Sequence, residues 1–405
     1  MALVFLHHVV GDLTLGKPEL VQFSDSQSVK AAVRAIGESA EGAITIWRCP
    51  SPDSPITPPP PPSADRFVGM LNSLDVVAFL ASAGDDDREK AMRTPVSELV
   101  TPNHGLLKEV DPATRLIDAL DMMKQGVKWL LVRKSVMWRG FSKRFSVLYN
   151  GKWLKSTQSS SVGGASNSDR PSSSALHENK YCCLSREDVV RFLIGCLGAL
   201  APLPLSSISS LGAISSNYSY IDAFWPTLEA IRKIPHNPCA IAVVKTNSDG
   251  THNIIGDISA YKLWKCNYWA AAWAMANLSA GQFVLGAEDY GAAPDSVPDF
   301  SINSPPQNAG GEASPRRQKF SSRSMGFTAS QANEMPLRRL RSMYRGRSAP
   351  LTCKNTSSLA AVMAQMLSYR ATHVWVIDAD KEDDTLVGIV SFNEILNAVT
   401  QYPAS

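Results

Sequence analysis

A short pattern recurs along this chain, and a chain that repeats a pattern must build repeated units. The clearest copy is Leu386-Val387-Gly388-Ile389-Val390-Ser391-Phe392-Asn393-Glu394-Ile395-Leu396. It reads as an apolar strand, a polar turn and the start of an amphipathic helix. Phe67 to Asp75 leads in the same way into Val76-Val77-Ala78-Phe79-Leu80. Tyr181 to Asp188 leads into Val189-Val190-Arg191-Phe192-Leu193, so Asp-Val-Val-x-Phe-Leu occurs twice. Ile254 to Trp264 is a weaker copy. The polar residues at the four turns are Asn72, Ser185, Ser259 and Ser391, separated by 113, 74 and 132 positions. The 74-residue interval contains no obvious insertion, and each longer one contains a low-complexity tract. The chain is therefore read as four copies of one unit, two of them interrupted.

Within the copies, hydrophobic periodicity supplies the rest of the unit. Val29, Ala32, Val33 and Ile36 fall on one helical face, as do Leu116, Ile117, Leu120 and Met123, and again Leu359, Val362, Met363, Met366 and Leu367. Ala43–Trp47, Lys128–Val132, Ala240–Val244 and His373–Ile377 read as apolar strands, with first strands expected at Leu20–Phe23, Leu107–Val110 and near Ala349–Cys353. A helix is expected over Ile221–Ile231, started late or kinked by Pro226, and an Ala/Trp-rich helix from Tyr261 to Leu278. The unit is strand, helix, strand, strand, helix, and the fold class is α+β.

The tracts between these elements are of several kinds. Pro50 to Asp65 is proline-dominated and suits a tolerated hairpin insertion. Asp85 to Lys90 reads as a charged linker. Arg133 to Lys155 holds seven Lys/Arg, no acid, and five aromatics, with an Asn150-Gly151 hairpin turn. Basic residues among aromatics suit single-stranded nucleic acid, but a packing hairpin with solvated lysines is the simpler reading. Ser156 to Lys180 and Glu288 to Pro336 have the composition of disordered segments. Nine Lys/Arg and one acid lie between Pro315 and Arg347, although the whole chain carries only +3. The domain reading that follows is 13–82 for the first unit with an insert at 50–65, and 95–197 for the second with an insert at 133–180. The third covers 205–270, then a helix and a basic linker at 271–336, and the fourth 337–402.

The 405 residues, 44% of them hydrophobic and 19% charged, suit an ordinary globular protein. Seven cysteines without a Cys-x-x-Cys suggest neither a disulfide framework nor a zinc site. The apolar N-terminus lacks a basic flank and a cleavage site. The apolar runs at 192–205 and 270–285 suit buried segments better than membrane spans. A soluble protein of a reducing compartment is expected, in the cytoplasm or also the nucleus. No nucleophile with a placed base, metal cluster or phosphate-cradling glycine loop is found, so an enzyme is not expected. His7, His8 and His373 read as structural.

The repeated unit resembles the CBS domain, most closely over Ala349 to Tyr402, where Gly388-Ile389-Val390-Ser391-x-x-Glu394 is similar to the family's Gly-h-h-Thr/Ser-x-x-Asp. The layout resembles the four-repeat plant CBSX type, with Val9 to Thr14 and Ser342 to Cys353 similar to that subgroup. The resemblance implies four CBS repeats paired as two Bateman modules, one with two and three with four. It also implies an AMP, ADP or ATP ligand held between paired repeats, with no other cofactor. The turn hydroxyl would contact phosphate, and the carboxylate three residues on would hold the ribose hydroxyls. Only Ser185 with Asp188 matches fully. Asn72 precedes Asp75, Ser259 precedes Lys262, and Ser391 precedes the longer Glu394. Arg347 is a further phosphate candidate. The same spacing is a helix capping box that needs no ligand, and both readings stand. The resemblance further implies a non-catalytic regulator of a partner protein, with a γ-type subunit or scaffold of an SNF1-related kinase complex as the alternative. Homodimerisation is a family-level expectation, and nucleic acid and membrane are not expected partners. Ser348, between basic residues and Pro350, is a phosphorylation candidate.

Overall fold

The computed structural model describes residues 3–49, 64–83, 88–134, 148–149, 152–153, 180–235, 239–264, 266–286, 349–381 and 384–401. Four three-stranded sheets share one topology. In each, the second strand lies in the middle, parallel to the first and antiparallel to the third. The second and third strands are Ala43–Trp47 with Phe67–Asn72, Trp129–Arg133 with Tyr181–Ser185, Ala240–Thr246 with His252–Ser259, and His373–Ile377 with Leu386–Ser391. The parallel step requires a crossover, and a helix supplies it in every unit. These helices are Val29–Glu38, Leu116–Lys124, Thr227–Lys233 and Leu359–Tyr369. The apolar faces read from sequence are the buried ones: Val29, Ala32, Ile36, Leu116, Leu120, Met123, Leu359, Val362, Met363 and Met366 are all fully shielded. Each of these side chains except Ala32 contributes about 1.5–3 kcal/mol relative to exposure.

The units pair through their sheets. Trp47 and Phe67 of unit one meet Leu107, Leu131 and Tyr181 of unit two. Ala240, Ala242, Val244 and Ile254 of unit three meet Trp375, Leu386 and Ile389 of unit four. The two resulting modules then pack through helices. Ser73–Ser82 of unit one lies on Tyr268–Asn277, and their side chains share one core. Arg186–Gly195 and Leu116–Lys124 of unit two lie on Leu359–Tyr369 and Phe392–Gln401 of unit four. Sheet contacts and helix contacts thus alternate around a closed ring, one to two, two to four, four to three, three to one.

A glycine stands three residues before the turn residue in units one, three and four, and the packing explains it. A Cβ on Gly388 would lie 2.6 Å from the Ser215 carbonyl oxygen. There the incoming chain of unit three bridges Ile389 through two 2.9 Å backbone hydrogen bonds. On Gly256 a Cβ would lie 2.5 Å from the Val284 Cβ, and on Gly69 2.9 Å from the Thr101 carbonyl oxygen. Unit two carries Cys182 at this place, fully buried.

Several sequence expectations are corrected. Ile221 lies in the first strand of unit three, Tyr220–Asp222, and Pro226 caps a helix that begins only at Thr227. Proline fixes an extended start there and removes no needed donor. The helix expected from Tyr261 to Leu278 is broken into Ala260–Leu263 and Tyr268–Asn277, followed by Ala280–Leu285 capped by Ser279. Asn267 restarts the chain by accepting the Ala270 amide at 3.0 Å. The first strands of units one and four are Phe23–Ser24 and Thr352–Lys354, slightly later than expected. The charged linker runs into a helix, Arg88–Arg93, held by an Arg93–Glu89 pair. The N-terminal helices Leu3–His7 and Val10–Leu13, not foreseen, bury Phe5 and Val10 in the core of units two and four.

The proline-rich tract, most of the basic aromatic insert, the serine-rich tract and the basic linker lie outside the described residues. Of the insert, Leu148–Tyr149 pairs with Lys152–Trp153, the register a two-residue turn at Asn150-Gly151 requires. Among the described residues no helix is long and apolar enough to cross a membrane.

The close approach at Gly388 predicts that Gly388→Ala costs about 1–3 kcal/mol through overpacking. Gly37 sits in a helix, and a Cβ there would meet nothing within 4 Å, so Gly37→Ala should stabilise by about 0.5–1 kcal/mol. Urea unfolding of the two variants beside the wild type measures both.

Candidate functional site

At each of the four turns a strand passes directly into a helix, so the first helical amides need acceptors. In unit one the Asn72 side chain accepts from the Leu74 and Asp75 amides at 2.8 and 3.2 Å, and Asp75 accepts the Asn72 amide at 3.0 Å. In unit two Ser185 Oγ accepts the Asp188 amide at 3.3 Å, and Asp188 Oδ2 accepts the Ser185 amide at 2.8 Å. These are full capping boxes. In unit four Glu394 accepts the Ser391 amide at 2.9 Å and also the Ser391 hydroxyl, and Ser391 Oγ takes the Asn393 amide at 3.2 Å. Unit three departs from the scheme. Ser259 makes no cap, and its hydroxyl donates to Asp257 at 2.8 Å.

The carboxylates do not face solvent alone. Lys17, which precedes the first strand of unit one, reaches across the module and pairs with Asp188 Oδ2. The lysine is 9% exposed and the aspartate 14%. In unit three Lys262 Nζ lies 2.7 Å from Asp257 Oδ1, and His373 Nε2 of unit four lies 3.6 Å from Oδ2. Burial pushes the Asp257 carboxyl up, but the His373 contact and the Lys262 charge outweigh it and hold it at about 2. Tyr261 closes this cluster edge-on to His373, with ring centres 5.4 Å apart. Near Asp75 lies Lys128; burial and the Arg186 charge lower its ammonium, and the Asp75 charge works against that. Near Glu394 lies Arg186, 5% exposed, donating to the Met123 and Val127 carbonyls. Burial pulls its guanidinium down to about 10, against the Glu394 charge.

The Lys17–Asp188 pair borders a cavity of about 30 Å³, lined also by Ala40, Glu41, Glu187, Arg191 and Arg370. Units one, two and four therefore meet at this point. Glu41 accepts the Trp129 indole N–H at 3.1 Å. Burial, then the neighbouring Asp188 charge, raises its carboxyl to about 7 against the pull of Lys17. Arg191 pairs with Glu187 at 2.5 Å. Arg370 ends its helix in the left-handed region, at φ 53°, and places its guanidinium over the Trp264 ring, 5.4 Å from the centre. Trp264 in turn donates to the Ile36 carbonyl at 2.9 Å. Gly42, at φ 69°, gives it room: a Cβ there would stand 3.0 Å from the indole.

The site residues named from sequence thus divide. Ser185 with Asp188, Asn72 with Asp75, and Ser391 with Glu394 come together as pairs. Ser259 and Lys262 meet only through Asp257. Arg347 and Ser348 lie outside the described residues. Sequence reasoning missed Asp257, although it is two residues before Ser259 on a strand and so shares its face. It also missed Lys17, Glu41, Arg186 and Arg370, which no local pattern marks. Among the described residues no group of three His, Cys, Asp or Glu side chains is placed to hold a metal.

Breaking the partly buried Lys17–Asp188 pair leaves an uncompensated charge, so Asp188→Ala should cost about 3 kcal/mol. In a double-mutant cycle with Lys17→Met the coupling should exceed about 1 kcal/mol. Because Asp257 is held below its ordinary value of 3.8, its stabilisation is present above pH 4 and lost as pH falls toward 2. Acid titration of stability should be flatter over that range in Asp257→Asn than in the wild type.

Comparisons with known proteins bear on the family of the chain. The CBS domain model matches residues 346–401. CBS domain-containing protein CBSX6 of Arabidopsis thaliana is 57% identical over 417 aligned residues, covering 100% of this chain and 96% of that protein. CBSX5 of the same plant is 28% identical, with 99% of both chains covered. The SNF1-related protein kinase regulatory subunit gamma-like PV42b, also from Arabidopsis thaliana, is 22% identical, covering 96% of this chain and 94% of that one. Among solved structures, protein MJ1225 of Methanocaldococcus jannaschii has a TM-score of 0.49 at 11% identity, covering 96% of this chain and 99% of that one. With four units of one topology and a relative of 57% identity along its whole length, the chain belongs to the CBSX type of CBS domain-containing proteins.

Proposed function

We propose that the protein is a non-catalytic regulator that acts on a partner protein, with its nucleotide-type motifs turned to internal use. One observation carries this reading. The carboxylate of the single fully matching motif, Asp188, is held by Lys17 of the same chain. A ribose diol would have to displace that ammonium to reach it. The adjoining cavity of about 30 Å³ has room for a water molecule or two, where small-molecule pockets measure roughly 300–1,000 Å³. The other three turns follow suit, each with a basic side chain of the chain itself nearby. A regulator built this way presents a fixed four-unit surface, and its output is the set of proteins that surface holds. The relationship to PV42b, described as a kinase regulatory subunit gamma-like protein, makes an SNF1-related kinase the first partner to test.

Adenosyl nucleotides enter this reading as ligands that would have to open the Lys17–Asp188 pair. A ligand shifts such an arrangement only by its differential affinity for the open and closed forms. Calorimetry with AMP, ADP and ATP on the purified protein should give no saturable heat below about millimolar. Micromolar binding abolished by Asp188→Ala would sink the proposal in favour of a nucleotide sensor. Size-exclusion chromatography with an SNF1-related kinase catalytic subunit should show a co-migrating complex. Its absence at micromolar concentrations argues against that partner.

A further inference from the structure

The centre where units one, two and four meet holds six charged side chains around a cavity too small for an organic ligand. Glu41 stands among them. It faces Lys17 from the N-terminal segment, Asp188, Glu187 and Arg191 from the helix Arg186–Gly195, and Arg370 from the end of Leu359–Tyr369. One neutral donor also faces it, the Trp129 indole at 3.1 Å, while the Ser185 hydroxyl beside it donates to Asp188 at 2.9 Å. Arg191 is committed to Glu187, and Arg370 lies over Trp264 and donates to the Ala40 carbonyl at 3.4 Å. Lys17, paired with Asp188, lines the same cavity as Glu41, and its charge acts on the Glu41 carboxyl as well.

We infer that Glu41 is a proton-operated latch: protonated, it leaves Lys17 to Asp188 and lets the three units close, and ionised, it competes for Lys17 and loosens the centre.

The step is a single proton binding to the Glu41 carboxyl from solvent, and it needs no co-reactant. The Trp129 indole hydrogen bond survives in both states, because a carboxyl oxygen accepts whether or not the group is protonated. The latch therefore changes the charge against Lys17 without releasing unit two from unit one. Burial and the Asp188 charge bring the Glu41 transition to about pH 7, inside the range a cell visits. The sign follows from linkage. A carboxyl raised above its ordinary value stabilises the closed form when protonated, and that stabilisation is lost as pH rises through the raised value. Between pH 8 and pH 6 the opening equilibrium should fall about tenfold.

The inference rests on the Lys17–Asp188 pairing and is independent of whether a nucleotide or kinase binds. It is tested on the full chain without ligand, so its failure is distinguishable from failure of the functional reading. The probe is the Trp129 indole resonance in a proton–nitrogen NMR titration, assigned by its loss in Trp129→Phe. It should titrate with a midpoint between about pH 6 and 8. The transition should vanish in Glu41→Gln and move upward in Lys17→Met, because the ammonium favours the ionised form. In the wild type alone, hydrogen exchange of the helix Arg186–Gly195, corrected for intrinsic rates, should show about tenfold greater protection at pH 6 than at pH 8. A resonance that is flat or titrates below about pH 5.5, a transition that persists in Glu41→Gln, or equal protection at the two pH values would each overturn the latch.

Discussion

A helix that begins where a strand ends exposes its first amide hydrogens at a buried junction, and this chain meets that problem four times. It solves three of them with a side-chain oxygen and a carboxylate. A carboxylate in such a place needs a cation, and the cations come from elsewhere in the chain. Lys17 crosses from unit one to Asp188 of unit two. Arg186 of unit two lies near Glu394 of unit four. Lys128 of unit two lies near Asp75 of unit one. The exception, unit three, has its own lysine and borrows His373 from unit four. The local need for helix capping thus draws in charge from other units, by a close pair at Lys17–Asp188 and at longer range at Asp75 and Glu394, superimposed on the apolar sheet and helix packing that closes the ring. Hydrophobic burial supplies most of the stability, but it is non-directional, and the Lys17–Asp188 and His373–Asp257 approaches add directional contacts between units one and two and between units three and four.

The two modules show the same device in different residues. Trp129 and His373 occupy equivalent strand positions, paired in register with Ser185 and Ser391. Each turns a ring nitrogen toward a carboxylate of the partner unit, Glu41 in one module and Asp257 in the other. The consequences differ because the neighbours differ. Asp257 has two basic groups against it and stays ionised far into acid. Glu41 has one ammonium, already engaged by Asp188, and its carboxyl is driven the other way. Equivalent positions in a repeated fold therefore carry opposite electrostatics.

What could be read from the sequence follows the range of the interactions. Elements set by local periodicity were legible: the apolar helix faces at Val29–Ile36, Leu116–Met123 and Leu359–Leu367, and the third strands that run into each turn. The capping residues were legible because capping operates within one helical turn. Pro226 misled only about extent, since a proline that can kink a helix can equally begin one. Trp264 and the break after it were not legible, because the indole leaves the helix to bridge to the turn at Gly42 of unit one. Lys17, Glu41 and Arg370 were invisible for the same reason. Their roles depend on three units meeting, and no spacing in the chain records that.

The inserts add one more consequence. The segments between Arg48 and Arg66 and between Lys134 and Lys180 both occupy the connection from second to third strand, and both stems are closed by backbone hydrogen bonds, Arg48 to Arg66 at 2.8 Å and Lys134 to Lys180 at 2.6 Å. In unit three the same connection is a tight turn at Asn247–Gly250, and in unit four it is also short. Lengthening a loop whose ends are already clamped adds only a logarithmic entropy cost, and it disturbs neither the caps nor the ring. The module of units one and two can therefore take chain of different lengths in these two connections while its interior is held fixed. The charged centre tolerates little change, and the length of chain beyond each clamped stem tolerates much.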